Sequence, residues 1–291
     1  MAGRRTRVQA SALQRHLRRA GTAWLHEEVA RRMAERLGLL RRPPRRILDW
    51  ASATGASQAL LRQHCPQAER VALDVERHPL PASAPGGWLK RLFSPAAPAT
   101  PGAAPAPGDL LWANMALHWA DDLPALLQRW HAALQVEGLL MFSCFGPDTL
   151  RELRSLYARA GWGPPASAWI DMHDLGDALV HAGFADPVMD METLTLTWDS
   201  PSALLAELRT LGANTDPARH AGLRTPRWRL RLEQALADGL GGPGGPGGRL
   251  HLTFEIIYGH ALKPEPRAQV AAETSISLDA MRDMTRRRPA G

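Results

Sequence analysis

Apolar residues first take up a regular rhythm between Leu13 and Leu40. In "WLHEEVARRMAERLGLL", Trp24, Val29, Met33 and Leu37 return at helical intervals before Pro43 and Pro44 close the run. Residues 13–42 are thus predicted as an amphipathic amino-terminal helical region. The rhythm then changes to short apolar runs. "RRILDW" reads as a first strand, "ASQALLRQHC" as a helix and "RVALDVE" as a second buried strand ending in acids, so a β-α-β unit is complete by Glu76. "DLLWANMALHW" is a third strand running into a turn, "DDLPALLQRWHAAL" a helix opened by acids and "GLLMFSCFG" another buried strand. In "DMHDLGDALVHAGF" a short helix is expected, with Asp174 as its cap, Asp177 three residues on and Gly183 as its stop. "METLTLTW" and "LHLTFEIIYGHAL" alternate with period two, as an antiparallel edge pair would.

Apolar strands alternating with amphipathic helices predict an α/β fold, Rossmann-like, with a mostly parallel sheet, an antiparallel edge pair and helices on both faces. One domain should span residues 1–264. Two helical stretches, "SPSALLAELRTLGA" and "TPRWRLRLEQALADGL", and the linker Gly241 to Gly248 form a helical insertion over 199–250, read as a lid. Residues 92–108 are Pro/Ala-rich with almost no charge, a surface loop, and residues 265–291 carry no sustained period, as a frayed tail would.

Composition narrows the classes. No run approaches the roughly 18 apolar residues of a membrane helix, and the Arg-rich start lacks the apolar core of a secretory signal. A cytoplasmic protein is expected. The formal charge of +6 is concentrated between Arg4 and Arg46 and calls for an acidic partner. That cluster lacks interleaved aromatics, which makes nucleic acid unlikely and leaves an acidic carrier protein. Cys65 and Cys144 stand in no metal-ligand spacing and read as reduced, partly buried thiols. Asp171, His173, Asp174 and His181 belong to a short capped helix, so no metal site is expected.

In an open α/β sheet, ligands bind beyond the carboxyl ends of the strands, where strand order reverses. The turn after Asp49, the acids Asp74 and Glu76, and Asn114 in "ANMALHW" should meet there. Asp74 is placed to accept from ribose hydroxyls, with Glu76 in reserve. Asp49 can receive an ammonium group directly or through water, or else only start the following helix. Asn114 offers both a donor and an acceptor, or caps its own turn.

This order of elements resembles the class I S-adenosylmethionine-dependent methyltransferases, whose sheets have seven strands. "GPDTLRELR" (146–154), "DMHDLGDALVHAGFADPVMDMETLTLTW" (171–198), "FEIIYGHALKP" (254–264) and "ANMALHWADDLPALL" are similar to the biotin-pathway malonyl-[acyl-carrier protein] O-methyltransferases. The resemblance runs over residues 13–264. It implies S-adenosyl-L-methionine as methyl donor and the free carboxylate of malonyl-acyl carrier protein as acceptor, an early step toward pimeloyl and biotin. A carboxylate is already nucleophilic at neutral pH, so no general base is needed. Arg151 and Arg154, three apart on one helix, are candidates to clamp it. The basic amino terminus with Arg224, Arg227 and Arg229 would form the carrier docking face. At the family's acid-x-Gly-x-Gly-x-Gly turn, the matching cofactor-binding positions here are Asp49, Ala51, Ala53 and Gly55. A positive φ at either alanine costs of order 1 kcal/mol. The acid usually found before the third strand has no counterpart. Two other readings suit such a chain: a methyltransferase-fold binding or assembly protein without catalysis, and a relative acting on a protein side chain, as the arginine hydroxylase of complex I assembly does.

Overall fold

The computed structural model describes residues 23–50, 56–73, 106–212, 214–220, 222–241 and 248–266. Six strands form one sheet in the order β2-β1-β3-β4-β6-β5. They are β1 (Arg46–Trp50), β2 (Glu69–Leu73), β3 (Gly108–Ala113), β4 (Leu134–Phe145), β5 (Ala185–Trp198) and β6 (Leu250–Leu262). The first four are mutually parallel, and β6 runs antiparallel to both β4 and β5, so the chain finishes with the expected antiparallel pair.

Seven α-helices are described: α1 (Trp24–Glu35), α2 (Gln58–His64), α3 (Leu123–Ala133), α4 (Arg151–Ala160), α5 (Met172–His181), α6 (Pro201–Leu211) and α7 (Pro226–Leu240). They divide between the two faces. Leu61 of α2, Leu153 of α4, Leu204 of α6 and Leu236 of α7 join the core with α1, whereas Leu127 and Trp130 of α3 and Leu175 and Leu179 of α5 pack on the opposite face. Both faces of the central strands are thereby covered, which is why β3 and β4 read as continuous apolar runs rather than alternations. No helix among the described residues is long and apolar enough to cross a membrane.

Four sequence expectations need correction or restriction. The sheet has six strands among the described residues, not seven, because only six stretches carry strand periodicity and each forms a strand; residues 74–105 lie outside the description. Helix α5 is capped by Asp171, not Asp174: Asp171 has extended backbone (φ −72°, ψ 153°) and accepts from the His173 amide, while Asp174 sits in the first turn. Gly183 does follow the helix with φ +95°. Trp24 is 54 % exposed, and Leu25, Val29 and Met33, spaced four apart, form the buried stripe of α1. The Pro/Ala loop ends before Gly108, which already belongs to β3; its residues up to 105, the amino terminus to residue 22, the linker 242–247 and the tail from 267 lie outside the described residues.

Candidate active site

The chain leaves β1 for β2 on one side and for β3 on the other, so strand order reverses between β1 and β3. Asp49, next to last in β1, lies between Ala72 of β2 and Trp112 of β3. It is 5 % exposed, and its side chain accepts no hydrogen bond from another described residue. Burial pushes its carboxyl up to about 6, against the opposing pull of the Arg70 guanidinium. A buried carboxylate at a switch point suits a cationic group. Ala51, Ala53, Gly55, Asp74 and Glu76 lie outside the described residues. The residues that follow Gly55 are anchored, however: Trp112 Nε1 donates to Ser57 Oγ at 2.7 Å, and Arg70 Nη1 to the Gln58 carbonyl at 2.5 Å. Sequence reading missed Ser57 and Trp112. The one signal was that an indole inside a buried strand needs a partner for its N–H.

Asn114, just beyond β3, is also 5 % exposed. Its Nδ2 donates to the His26 carbonyl of α1 at 2.9 Å, and its Oδ1 accepts from Ser143 Oγ of β4 at 2.9 Å. The same Ser143 oxygen accepts from the Met115 amide at 3.0 Å. Met115 holds a left-handed conformation, φ +49°, and is buried. Such strain persists only where its surroundings fix it, and here two side chains and a helix backbone do so. The amino-terminal helix is therefore part of the crevice wall through His26.

A cavity of about 110 Å³ opens beyond the ends of β3 and β4, lined mainly by His118, Trp119, Phe145 and Phe254 with Ser167 and Thr215. A short head group fits such a volume. The insertion closes one side through Leu208, Leu211 and Gly212. Gly212 packs so near Trp119 that a Cβ there would stand 2.7 Å from the indole, so only glycine allows this approach. Of the two arginines expected near the acceptor, Arg151 is exposed and pairs with Asp148 at 3.6 Å and Glu152 at 3.1 Å. Arg154 turns inward: it donates to the carbonyls of Thr149 (3.1 Å), Ala166 (3.4 Å) and Ser167 (2.6 Å), all cavity residues, and stacks 4.6 Å from the Trp169 ring centroid. His173 and His181 each bond within α5, to Asp171 and to the Asp177 carbonyl. Cys65 and Cys144 are both buried, and burial raises both thiols.

No protein-family model matches the chain. The malonyl-[acyl-carrier protein] O-methyltransferase of Laribacter hongkongensis is 42 % identical over 257 residues, covering 84 % of each chain. The enzymes of the same name from Gallionella capsiferriformans and Halorhodospira halophila are 40 % and 39 % identical, covering 84 % and 91 % of this chain and 86 % and 90 % of their own. The chain belongs to the malonyl-[acyl-carrier protein] O-methyltransferases. Its fold is shared with a methyltransferase candidate of Bacillus halodurans at TM-score 0.51 and 13 % identity, over 81 % of this chain and 99 % of that one.

The structure explains why this methyltransferase carries two of its motifs together. "GPDTLRELR" and "FEIIYGHALKP" meet across the end of the sheet. Thr149 Oγ1 donates to the Glu255 carbonyl at 2.9 Å and accepts from the Glu255 amide at 3.0 Å, while Glu255 Oε2 accepts from the Asp148 amide at 2.6 Å. Glu152 takes both the amide and the hydroxyl of Thr253, at 2.9 and 2.5 Å. These bonds hold its carboxyl below the usual range despite burial, so it stays ionised. The loop that carries Thr149 and Leu150 into the cavity is thus fastened to β6, about a hundred residues away in sequence.

Proposed function

We propose that the protein transfers the methyl group of S-adenosyl-L-methionine to the free carboxylate of malonyl-acyl carrier protein, the step by which malonyl enters pimeloyl and biotin synthesis. The observation that carries this reading is a buried carboxylate, Asp49, at the switch point of a sheet whose central strands also end at a small aromatic cavity. Asp49 receives the ammonium of the donor's methionine end, and Ala51, Ala53 and Gly55 belong to the same cofactor site. Asp74 takes the ribose hydroxyls. Asn114 shapes the turn beneath the donor by fixing Met115. When bound, S-adenosylmethionine supplies an electrophilic methyl on a sulfonium. The acceptor oxygen takes that methyl, the bonding pair stays on sulfur, and no proton moves, so the protein's contribution is alignment in a dry cavity. A volume of about 110 Å³ suits a three-carbon head. Of the two candidate arginines, Arg154 serves the acceptor and Arg151 remains at the surface. With labelled donor and malonyl-carrier, an alkali-labile methyl ester is expected; no labelled ester at millimolar donor would rule the reading out.

The carrier is acidic, and the insertion offers it a face. Leu223 and Leu230 are 100 % and 66 % exposed, and Arg227 and Arg231 beside them are exposed. Arg229 pairs with Glu233 at 2.9 Å, and Arg224 braces the face by donating to the Trp162 carbonyl at 3.1 Å and covering the Trp228 ring. Charge reversal at Arg227 and Arg231 is expected to raise KM for malonyl-carrier about tenfold, more at low salt, and to leave KM for malonyl-CoA unchanged. Equal effects on both acceptors would place the carrier elsewhere.

A further inference from the structure

Ser167 and Thr215 are buried polar residues of the cavity wall, 5 % and 2 % exposed. Ser167 comes from the segment after α4 and Thr215 from the insertion after α6. Their hydroxyl oxygens stand 2.8 Å apart. Two hydroxyls carry two protons, and only one can lie between them. The other proton has no acceptor among the described residues and is available to whatever occupies the cavity. Such a donor is free to bind an acceptor group that enters the cavity.

The charge behind this pair indicates which ligand. Arg154 Nη2 donates to the Ser167 carbonyl at 2.6 Å, so a guanidinium sits directly behind the wall. It is half-buried, and its fork is spent on three carbonyls. Asp216 is the acid that faces Arg154, but it accepts from the Ala218 amide at 2.8 Å and lies outside the cavity lining. The wall therefore offers an anion one free O–H and a positive potential without a guanidinium contact.

We propose that the Ser167–Thr215 hydroxyl pair binds one oxygen of the acceptor carboxylate, with Arg154 as a positioning residue that holds Ser167 and supplies the field. This rests on the methyl-transfer reading above. A direct guanidinium fork would engage both carboxylate oxygens and draw charge from the attacking one. A single neutral O–H holds one oxygen and leaves the other free to take the methyl. Because Thr215 belongs to the insertion, the pair exists only while the insertion is docked through Gly212 and Trp119. The product ester is a weaker acceptor than the carboxylate and larger by a methyl, so the same pair favours release.

The test uses the full chain with labelled donor and malonyl-carrier. Thr215→Val, which keeps shape and loses the hydroxyl, and Ser167→Ala are each expected to lower kcat/KM for malonyl-carrier roughly 10–100-fold, mostly through KM. Donor affinity by calorimetry is expected to stay within twofold, and Thr215→Ser to restore most of the activity. Full activity in both deletion variants would overturn the proposal while leaving the methyl-transfer reading intact. So would a fall in donor affinity and melting temperature matching the loss in rate, since that marks a structural role. An inactive wild-type enzyme would instead remove the reading on which the proposal rests.

Discussion

Asp49→Asn is expected to cost the enzyme its methyl donor and to make the unliganded fold more stable. The carboxyl is raised from its ordinary 3.8 to about 6 by burial. Between those two values the native state holds a proton that the unfolded state has released, so stability falls as pH rises through the window. Above about 6 the penalty is complete. A shift of about two pKa units corresponds to about 3 kcal/mol at 1.36 kcal/mol per unit. Asparagine removes this cost at nearly constant shape, so its melting temperature should exceed that of the wild type at pH 7.5 and match it near pH 4. Donor binding moves the other way. Loss of an ion-assisted hydrogen bond to the ammonium group predicts a roughly 10–100-fold weaker Kd. Wild-type affinity should also weaken as pH drops below about 6, whereas the variant's should be flat. Calorimetric titrations at pH 5 and 7.5 check both statements. Donor affinity in the variant within threefold of wild type would remove Asp49 from the site.

Gly259→Ala is expected to disrupt the sheet where it is most deeply packed. Gly259 lies in β6 between Phe142 of β4 and Met189 of β5, its cross-strand partners. A Cβ built there would stand 2.2 Å from Phe142 Cζ, 2.4 Å from Cε1 and 3.0 Å from the Met189 sulfur. Phe142 is fully buried and cannot swing away without displacing its neighbours. Overpacking of this kind costs typically 1–3 kcal/mol, and the rigid ring places this site at the upper end. Urea unfolding should show it as a lower midpoint at unchanged slope. Phe142→Leu in the same chain should recover part of the loss, a coupling that a double-mutant cycle measures. An alanine variant as stable as the wild type would mean that the ring yields more than its packing suggests. The glycine of "FEIIYGHALKP" is thus a packing requirement rather than a turn.

How legible the protein was depends on how local each cause is. Every described strand was visible as a short apolar or alternating run, because period two is a property of neighbouring residues. Asp49 could be placed at the end of β1 for the same reason. In the amino-terminal stripe Val29, Met33 and Leu37 are buried as read and only Trp24 is not, its place being taken by Leu25, four residues before Val29. The cap of α5 was read as Asp174 and is Asp171, since residue type permits both and only backbone angles choose. Arg151 and Arg154 looked equivalent, and the difference came from what each faces.

The sequence by itself determined the alternation of strands and helices, the position of the insertion, the acid at the end of β1 and the motifs that mark the family. Those depend on local periodicity, on turn chemistry and on residues read in order. Only the tertiary structure decided that Thr149 grips Glu255, that Trp112 secures Ser57, that Asn114 is held by His26 and Ser143, and that Ser167 meets Thr215. Each of these joins residues tens of positions or more apart. Their meeting is set by the order of strands in the sheet and by the docking of the insertion, which no window along the chain contains.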